Sequence, residues 1–194
     1  MHIKYPIGAI CLLLVASCGN QGGPVKNTGT TIIKSPKQPT SSKLAKTGTT
    51  IVMSVVGKYY GLKNALVAAK AGQADSAALQ LDVITGILHR YLETDTALSS
   101  VLMPYVDTII NECRIIPSIK DETCEKQRLA FGTISSAIYG LVTNAGLKNA
   151  GIFHEYCPMA FNEKGATWLS DESEIKNPYF GKKMMECGEV TDSL

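Results

Sequence analysis

Acidic side chains are missing from the first 74 residues of this chain, which carry nine lysines and therefore a charge of +9. The remaining residues hold ten basic and seventeen acidic groups, a net charge of −7. A segment as basic as the first can lie on anionic lipid headgroups. The acidic remainder lacks the basic face of a nucleic-acid-binding domain, so we exclude nucleic acid as a partner.

The chain also lacks the usual signatures of catalytic and nucleotide-binding sites. It contains no glycine-rich phosphate loop, dinucleotide fingerprint or paired-carboxylate arrangement. No two cysteines have the C-x-x-C spacing of zinc fingers. His154 stands near Cys157, but neither a residue that would orient the imidazole nor a known nucleophile signature accompanies them. The sequence therefore predicts a protein that is not an enzyme.

The N-terminal hydrophobic run, residues 7–15, is too short to form a permanent membrane span. Its length and its weakly basic flank are typical of a secretory signal peptide. Residues 14–19, LVASCG, resemble the lipobox of bacterial lipoproteins, in which the cysteine is lipidated and becomes the new N-terminus. We therefore predict a signal peptide over residues 1–17, a lipid anchor on Cys18, and a location in the bacterial cell envelope, on the periplasmic or outer-membrane face.

Residues 18–48 are rich in glycine, proline, serine, threonine and lysine, which predicts a flexible basic tether. From residue 49 onward, apolar side chains recur at steps of three and four, the spacing of one helix face. This pattern predicts four helices, over about residues 49–71, 74–93, 97–116 and 121–146. Four such helices joined by short loops predict an all-α, up-down-up-down four-helix bundle.

The tail, residues 147–192, shows neither strand alternation nor helical spacing, although it carries the one tryptophan and several other aromatic residues. Disordered segments have few aromatic residues. We therefore predict that the tail is an ordered but irregular cap on the bundle. Together with the helices it would complete a folded domain over residues 49–192.

Four cysteines remain after the predicted export, and an oxidising compartment favours disulfides. Cys113 and Cys124 fall in the last turn of one predicted helix and the first turn of the next, so we predict a disulfide between them. Cys157 and Cys187 bracket the tail, and three alternatives stay open for this pair. They could form a disulfide, ligate a soft metal such as Cu(I), which thiolates and thioethers select, or remain as buried free thiols.

Other side chains that bind soft metals stand close to the second cysteine pair in the sequence. They are His154, Met159 and Met184. Imidazole suits copper, and a thioether keeps its ligand capacity outside the cell because it cannot be lost to disulfide formation. If the tail holds a metal, these three residues are the candidate ligands beside the two cysteines.

Five short motifs stand out along the predicted folded part: YGLKNALV over residues 60–67, QRLAF over 127–131, YCPMA over 156–160, WLS over 168–170 and IKNPYFG over 175–181, with Met184 and Cys187-Gly188 after them. Together they resemble the signature of a family of exported domains of unknown function. The similarity covers about residues 50–192. Members of that family occur as standalone bacterial lipoproteins and at the C-terminus of the periplasmic adaptor subunits of copper and silver efflux pumps.

The resemblance implies a role in heavy-metal handling. Four of the candidate ligands, Cys157, Met159, Met184 and Cys187, lie on the family motifs, whereas the role of His154 rests on this sequence alone. We therefore predict a lipid-anchored envelope protein that binds copper or another soft heavy metal, or that is accessory to a heavy-metal efflux complex. The alternative is a disulfide-stabilised interaction module, with a groove between cap and bundle for a protein or a small apolar ligand.

Overall fold

A computed structural model describes residue 2, residues 37–95 and residues 97–194. The predicted lipidation site at Cys18, most of the predicted tether and all but residue 2 of the predicted signal peptide lie outside these residues. Four long helices follow one another: α1 (Lys46–Val67), α2 (Ala71–Thr94), α3 (Ser99–Ile115) and α4 (Glu125–Asn144). Among the described residues, no helix combines the length and the apolar character that crossing a membrane requires.

The apolar faces predicted for the helices are confirmed, because the side chains that define them are buried in one core or pack against it. Representative members of that core are Val52, Tyr59, Leu81, Leu88, Leu102, Ile109, Phe131 and Ile138. Consecutive helices pack against each other, and α1 also contacts α4. The four helices therefore form a helical bundle.

The folded part begins before residue 49. Helix α1 starts at Lys46, and Leu44, which precedes it, is buried. The backbone N–H of Thr40 donates a hydrogen bond of 2.9 Å to the carbonyl oxygen of Lys148. The last residues of the predicted tether are therefore attached to the segment that follows α4.

The tail corrects the all-α prediction. It contains a three-stranded antiparallel sheet of β1 (Phe153–Cys157), β2 (Ala166–Ser170) and β3 (Glu189–Ser193), in the spatial order β2-β1-β3. Strand β2 packs against α4. The cap is thus a small sheet with loops between its strands, and the protein is mostly helical rather than all-α.

The strands were not predicted from the sequence because their residues do not alternate between apolar and polar types. The buried position in the middle of β1 is the acidic Glu155, and every residue of β3 is exposed. Strand β3 lies at the edge of the sheet and pairs with β1, from which it is distant in sequence. Its conformation therefore follows from a tertiary contact, on which strand formation depends more than helix formation does.

Candidate functional site

The sheet brings Cys157 and Cys187 together. Cys157 ends β1 and is fully buried, whereas Cys187 precedes β3 and is partly exposed. Their sulfur atoms are 2.6 Å apart. A disulfide bond is about 2.05 Å long, and two thiolates on one tetrahedral metal centre, each about 2.3 Å from the ion, lie roughly 3.5–4 Å apart. Both thiols are free, so oxidation to a disulfide and ligation of a shared ion remain open to this pair.

The surroundings of Cys187 favour its protonated form. The contact with the Cys157 sulfur, followed by burial, raises the pKa of Cys187 to about 11, and a hydrogen bond from the Met159 backbone N–H acts in the opposite direction. Cysteine must lose its proton to bind a metal. Binding of a metal ion by Cys187 would therefore release the proton of this thiol.

Met159 and Met184 line the same open cleft. Met159 follows β1, and its side chain is 47% exposed. The carbonyl oxygen of Met184 accepts a hydrogen bond of 3.2 Å from the backbone N–H of Cys187. The backbone groups of both predicted thioether ligands therefore lie next to Cys187.

His154 has other neighbours. Its ring stacks on that of Tyr139 in α4, with ring centroids 3.9 Å apart. Its Nδ1 lies 2.8 Å from the hydroxyl oxygen of Thr191 in β3. Burial lowers the pKa of His154, which favours the neutral ring. The contacts of His154 are those of a packed residue between α4 and the sheet, and they do not direct it to the sulfur atoms.

In the described part of the chain, no group of three or more histidine, cysteine, aspartate and glutamate side chains could hold a metal ion. A metal in the cap would therefore depend on the two thiols and on thioether sulfur. That ligand set selects Cu(I) rather than the harder divalent ions.

Cys113 and Cys124 lie at the connection between α3 and α4. Cys113 is in the last turn of α3, and Cys124 directly precedes α4 with a left-handed backbone conformation, φ 64°. Both are free thiols with no exposed surface, and burial raises the pKa of each. The structure does not join them, so their disulfide stays a prediction for the exported protein.

Asn177 orders the loop that carries Cys187. Its side-chain amide donates to the carbonyl oxygen of Cys187 at 2.6 Å, and its side-chain oxygen accepts hydrogen bonds from the backbone N–H groups of Tyr179 and Phe180. The side chain is fully buried. Asn177 thus links the NPYF turn to Cys187 and helps to hold that residue against Cys157.

A lysine and a glutamate are buried where the sheet meets α1. Lys63 is 2% exposed, and its Nζ donates to the Ser170 hydroxyl at 3.1 Å and lies 3.9 Å from the Asp171 carboxylate. Glu155 is fully buried, and neither of its oxygens has a hydrogen-bond partner of ordinary geometry among the described residues. Burial raises the pKa of Glu155 to about 7, although Lys63 and the nearby Trp168 indole favour the charged form. The Glu155 carboxyl therefore changes protonation near neutral pH in the folded protein.

We expect Glu155 to make the stability of the fold depend on pH. Its pKa rises from an ordinary 4.5 to about 7 on folding, so the folded state holds the proton more tightly. The stability that this group contributes is fully present below about pH 4.5 and is lost as the pH rises through about 7. Relative to Glu155→Gln, the native protein should lose up to about 3 kcal/mol of unfolding free energy between pH 4.5 and 8, measured by urea unfolding.

The control for this experiment is Glu122→Gln, on an exposed turn. The difference in unfolding free energy between Glu122→Gln and the native protein should change by less than about 0.5 kcal/mol over the same pH interval, as expected of a surface substitution. The assignment would be contradicted if the difference in unfolding free energy between the native protein and Glu155→Gln were the same at pH 4.5 and at pH 8.

Arg128 joins three segments at the wall of the cleft. Its side chain is 7% exposed. Nε donates to the carbonyl oxygen of Pro178 at 2.8 Å, Nη1 to that of Thr123 at 2.8 Å and Nη2 to that of Leu66 at 3.2 Å. This one guanidinium therefore connects the end of α1, the segment before α4 and the tail.

The three buried charged residues, Lys63, Arg128 and Glu155, were not predicted from the sequence. A signal existed for two of them, because Lys63 follows Tyr59 by four positions and Arg128 precedes Phe131 by three, which places both on the apolar face of a helix. A charged residue in that phase indicates a buried, partnered group. Glu155 offered no such signal, since its strand was not predicted.

Residues 55–150 match the model of a family described as Protein of unknown function (DUF3347). The match runs from α1 to the residues after α4 and ends before β1, so it does not include the Cys157–Cys187 pair. The match is consistent with the resemblance to domains of unknown function, and it does not indicate an activity. No curated protein and no solved structure matches the chain.

Proposed function

We propose that this chain is a non-catalytic binding protein that holds a soft metal ion, copper above all, through the sulfur atoms of its cap. One observation carries the proposal: the sulfur atoms of Cys157 and Cys187 are 2.6 Å apart, and the backbones of Met184 and Met159 are hydrogen-bonded to Cys187. Thiolate and thioether ligands select Cu(I). The partial exposure of Cys187 gives an ion a route from solvent to the buried thiol.

The proposal extends to where the protein works. We propose that a lipid on Cys18 anchors it in the bacterial cell envelope, where the basic tether lies on anionic headgroups. The motifs that resemble domains fused to efflux adaptor subunits support an accessory role in a heavy-metal efflux complex. Such a role requires binding and transfer of an ion rather than catalysis.

Anaerobic titration of the reduced chain with Cu(I), in competition with a chromophoric chelator, tests the metal proposal. We expect the reduced chain to bind Cu(I) with a dissociation constant in the micromolar range or below. Cys157→Ser should weaken binding by more than about 100-fold, because even outer-shell partners of a bound metal are typically worth 10–100-fold. Replacing both Met159 and Met184 with leucine should weaken binding less, because both thiols remain.

Cys113→Ala is the matched control, since it removes a buried thiol outside the cap and should leave the affinity unchanged. A chain in which Cys157 and Cys187 have been oxidised to a disulfide should bind no Cu(I), because both thiolate ligands are consumed. If the reduced chain binds no Cu(I), or if Cys157→Ser binds it as tightly as the native protein, the metal proposal is wrong.

The cleft itself favours a second function. Its volume is about 720 Å³, within the range of roughly 300–1,000 Å³ that small-molecule sites have. Residues of the tail form one side, and the start of α4 forms the other. A Cys157–Cys187 disulfide would hold the tail side in place. We therefore also propose a disulfide-stabilised interaction module in which the cleft takes a ligand without a metal.

A further inference from the structure

We infer that the cleft between the tail and the start of α4 binds an amphiphilic organic anion, a molecule with a carboxylate head on an apolar body. The inference rests on the second proposed function, the interaction module, and names the chemical class of its ligand. Within the described residues, three features of the cleft carry it: the two unpaired lysines that make its charge positive, a buried guanidinium without a counter-ion, and a partly exposed aromatic surface.

The cleft is positively charged although it lies on an acidic domain. Residues 75–194 hold ten basic and seventeen acidic groups, yet the cleft is lined by Arg128, Lys182 and Lys183, with Glu125 as the one acidic residue among its described lining. Both lysines are exposed. Within the part of the chain that the structure describes, neither of them forms an ion pair with a carboxylate. A local reversal of charge of this kind attracts anions.

Arg128 is more than nine-tenths buried and still has hydrogen-bonding capacity to spare. Three of its N–H groups donate to backbone carbonyls, whereas a guanidinium has five. Carbonyl groups satisfy donors but do not neutralise the charge, and buried charges are normally paired. In the described residues, no carboxylate lies within ion-pair distance of Arg128. An anion in the cleft would supply the missing negative charge.

The tail side of the cleft also has an apolar surface, and the turn that carries it has an unfavourable backbone conformation. Met159 is 47% exposed, and the rings of Phe161 and Phe180 are only partly buried. Phe161 and the next residue, Asn162, have left-handed backbone angles, φ 53° and 58°, a conformation that costs about 1–3 kcal/mol for each non-glycine residue. This turn holds the Phe161 ring against Tyr179, with centroids 5.0 Å apart. It presents an aromatic surface on which an apolar body can pack.

The N-terminal tether of the same chain does not fit as the occupant. Residues 18–48 contain five lysines and no acidic residue, so the tether and the cleft have charge of the same sign. Like charges brought together at a binding surface oppose association. The ligand is therefore a separate, negatively charged molecule.

Calorimetric titration of the metal-free, full chain with laurate tests the inference, because laurate joins a carboxylate to an apolar chain. We expect laurate to bind with a dissociation constant in the micromolar range. Dodecyltrimethylammonium, which has the same tail and a positive head, should bind at least about tenfold more weakly. Acetate, which has the head without the tail, should show no measurable binding.

The double variant Lys182→Glu/Lys183→Glu should weaken laurate binding by at least about tenfold, because it reverses the charge of the cleft. Its matched control is Lys46→Glu/Lys120→Glu, which makes the same change in net charge at two exposed positions outside the cleft. The control should bind laurate as the native protein does. All four positions are exposed, so the substitutions preserve the fold, which circular dichroism verifies.

The possible failures are distinguishable. If both amphiphiles bind equally, if acetate binds as well as laurate, or if the Lys182→Glu/Lys183→Glu variant binds like the native chain, the inference of an amphiphilic anion is overturned while the interaction module stands. If neither amphiphile binds, both the inference and the proposed interaction module are wrong. Neither result bears on copper, which is titrated separately into the reduced chain.

Discussion

Replacing Arg128 with methionine should lower the free energy of unfolding by about 3–5 kcal/mol, because three carbonyl oxygens lose a charged hydrogen-bond donor. The substitution leaves the carbonyl oxygens of Leu66, Thr123 and Pro178 without their donor. Each hydrogen bond to a charged group is worth about 1.5–3 kcal/mol. Arg128→Lys should recover only part of the loss, because an ammonium group cannot reproduce the planar fork of a guanidinium. Urea unfolding at pH 7 measures both variants.

Arg114→Met is the matched control. The Arg114 side chain is 64% exposed and pairs with Asp82 at 3.3 Å. A surface pair of this kind contributes about 0–1 kcal/mol, so this variant should remain close to the native protein. An Arg128→Met variant that is no less stable than Arg114→Met would show that the guanidinium does not hold the tail to the bundle.

The second large effect is expected at Gly188, directly after Cys187. Its φ is +145°, and a Cβ added there would lie 2.8 Å from Cη2 of Trp168 and 2.9 Å from the carbonyl oxygen of Tyr156. Overpacking of a core costs about 1–3 kcal/mol, and an unfavourable backbone conformation costs about 1–3 kcal/mol. We therefore expect Gly188→Ala to lower the free energy of unfolding by about 2–4 kcal/mol.

Gly188→Ala also has an expected effect on the candidate metal site. The neighbouring segment must move to relieve the clash, and this displaces the Cys187 sulfur from that of Cys157. Cu(I) affinity of the folded variant should therefore fall, while the buried thiol of Cys113 in α3 should stay protected from a thiol reagent. Both are measured below the unfolding transition.

Gly72→Ala is the control for the glycine substitution. Gly72 lies in α2, and a Cβ added there would meet no atom within 4 Å. Alanine is favoured over glycine in a helix by up to about 1 kcal/mol, so this variant should be as stable as the native protein or slightly more stable. Equal stability of the two alanine variants would mean that the loop at Gly188 adapts without cost.

The helical half of the fold was predictable because its pattern is local. Apolar residues at steps of three and four identify one helix face wherever the helix packs. The residues at which the helices begin and end were less predictable. Helix α4 was expected to begin directly after Asp121 as its N-cap, but Cys124 has a left-handed conformation and the helix starts at Glu125. The Asp121 carboxylate nevertheless accepts a hydrogen bond of 2.8 Å from the backbone N–H of Lys126, so it caps the helix from a position farther upstream.

The residues of the candidate sulfur site could be predicted from the sequence, but their arrangement in space could not. The sequence shows that Cys157, Met159, Met184 and Cys187 share one tail, but their proximity depends on the pairing of β1 with β3 and on the turn that Asn177 orders. Neither feature leaves a local pattern. His154 was grouped with the sulfurs on sequence distance alone, whereas packing against Tyr139 gives it a different place.

By itself, the sequence determined that this protein has four amphipathic helices, an ordered tail rich in sulfur and aromatic residues, and opposite net charges in its two parts. Each of these properties depends only on the residues within short stretches of the chain. Only the tertiary structure decided that the tail is a sheet, that Cys157 meets Cys187, and that a positively charged cleft lies between the tail and α4. These features depend on contacts between residues that are far apart in the chain, and a contact of that kind exists only once the bundle has formed the surface on which the tail packs.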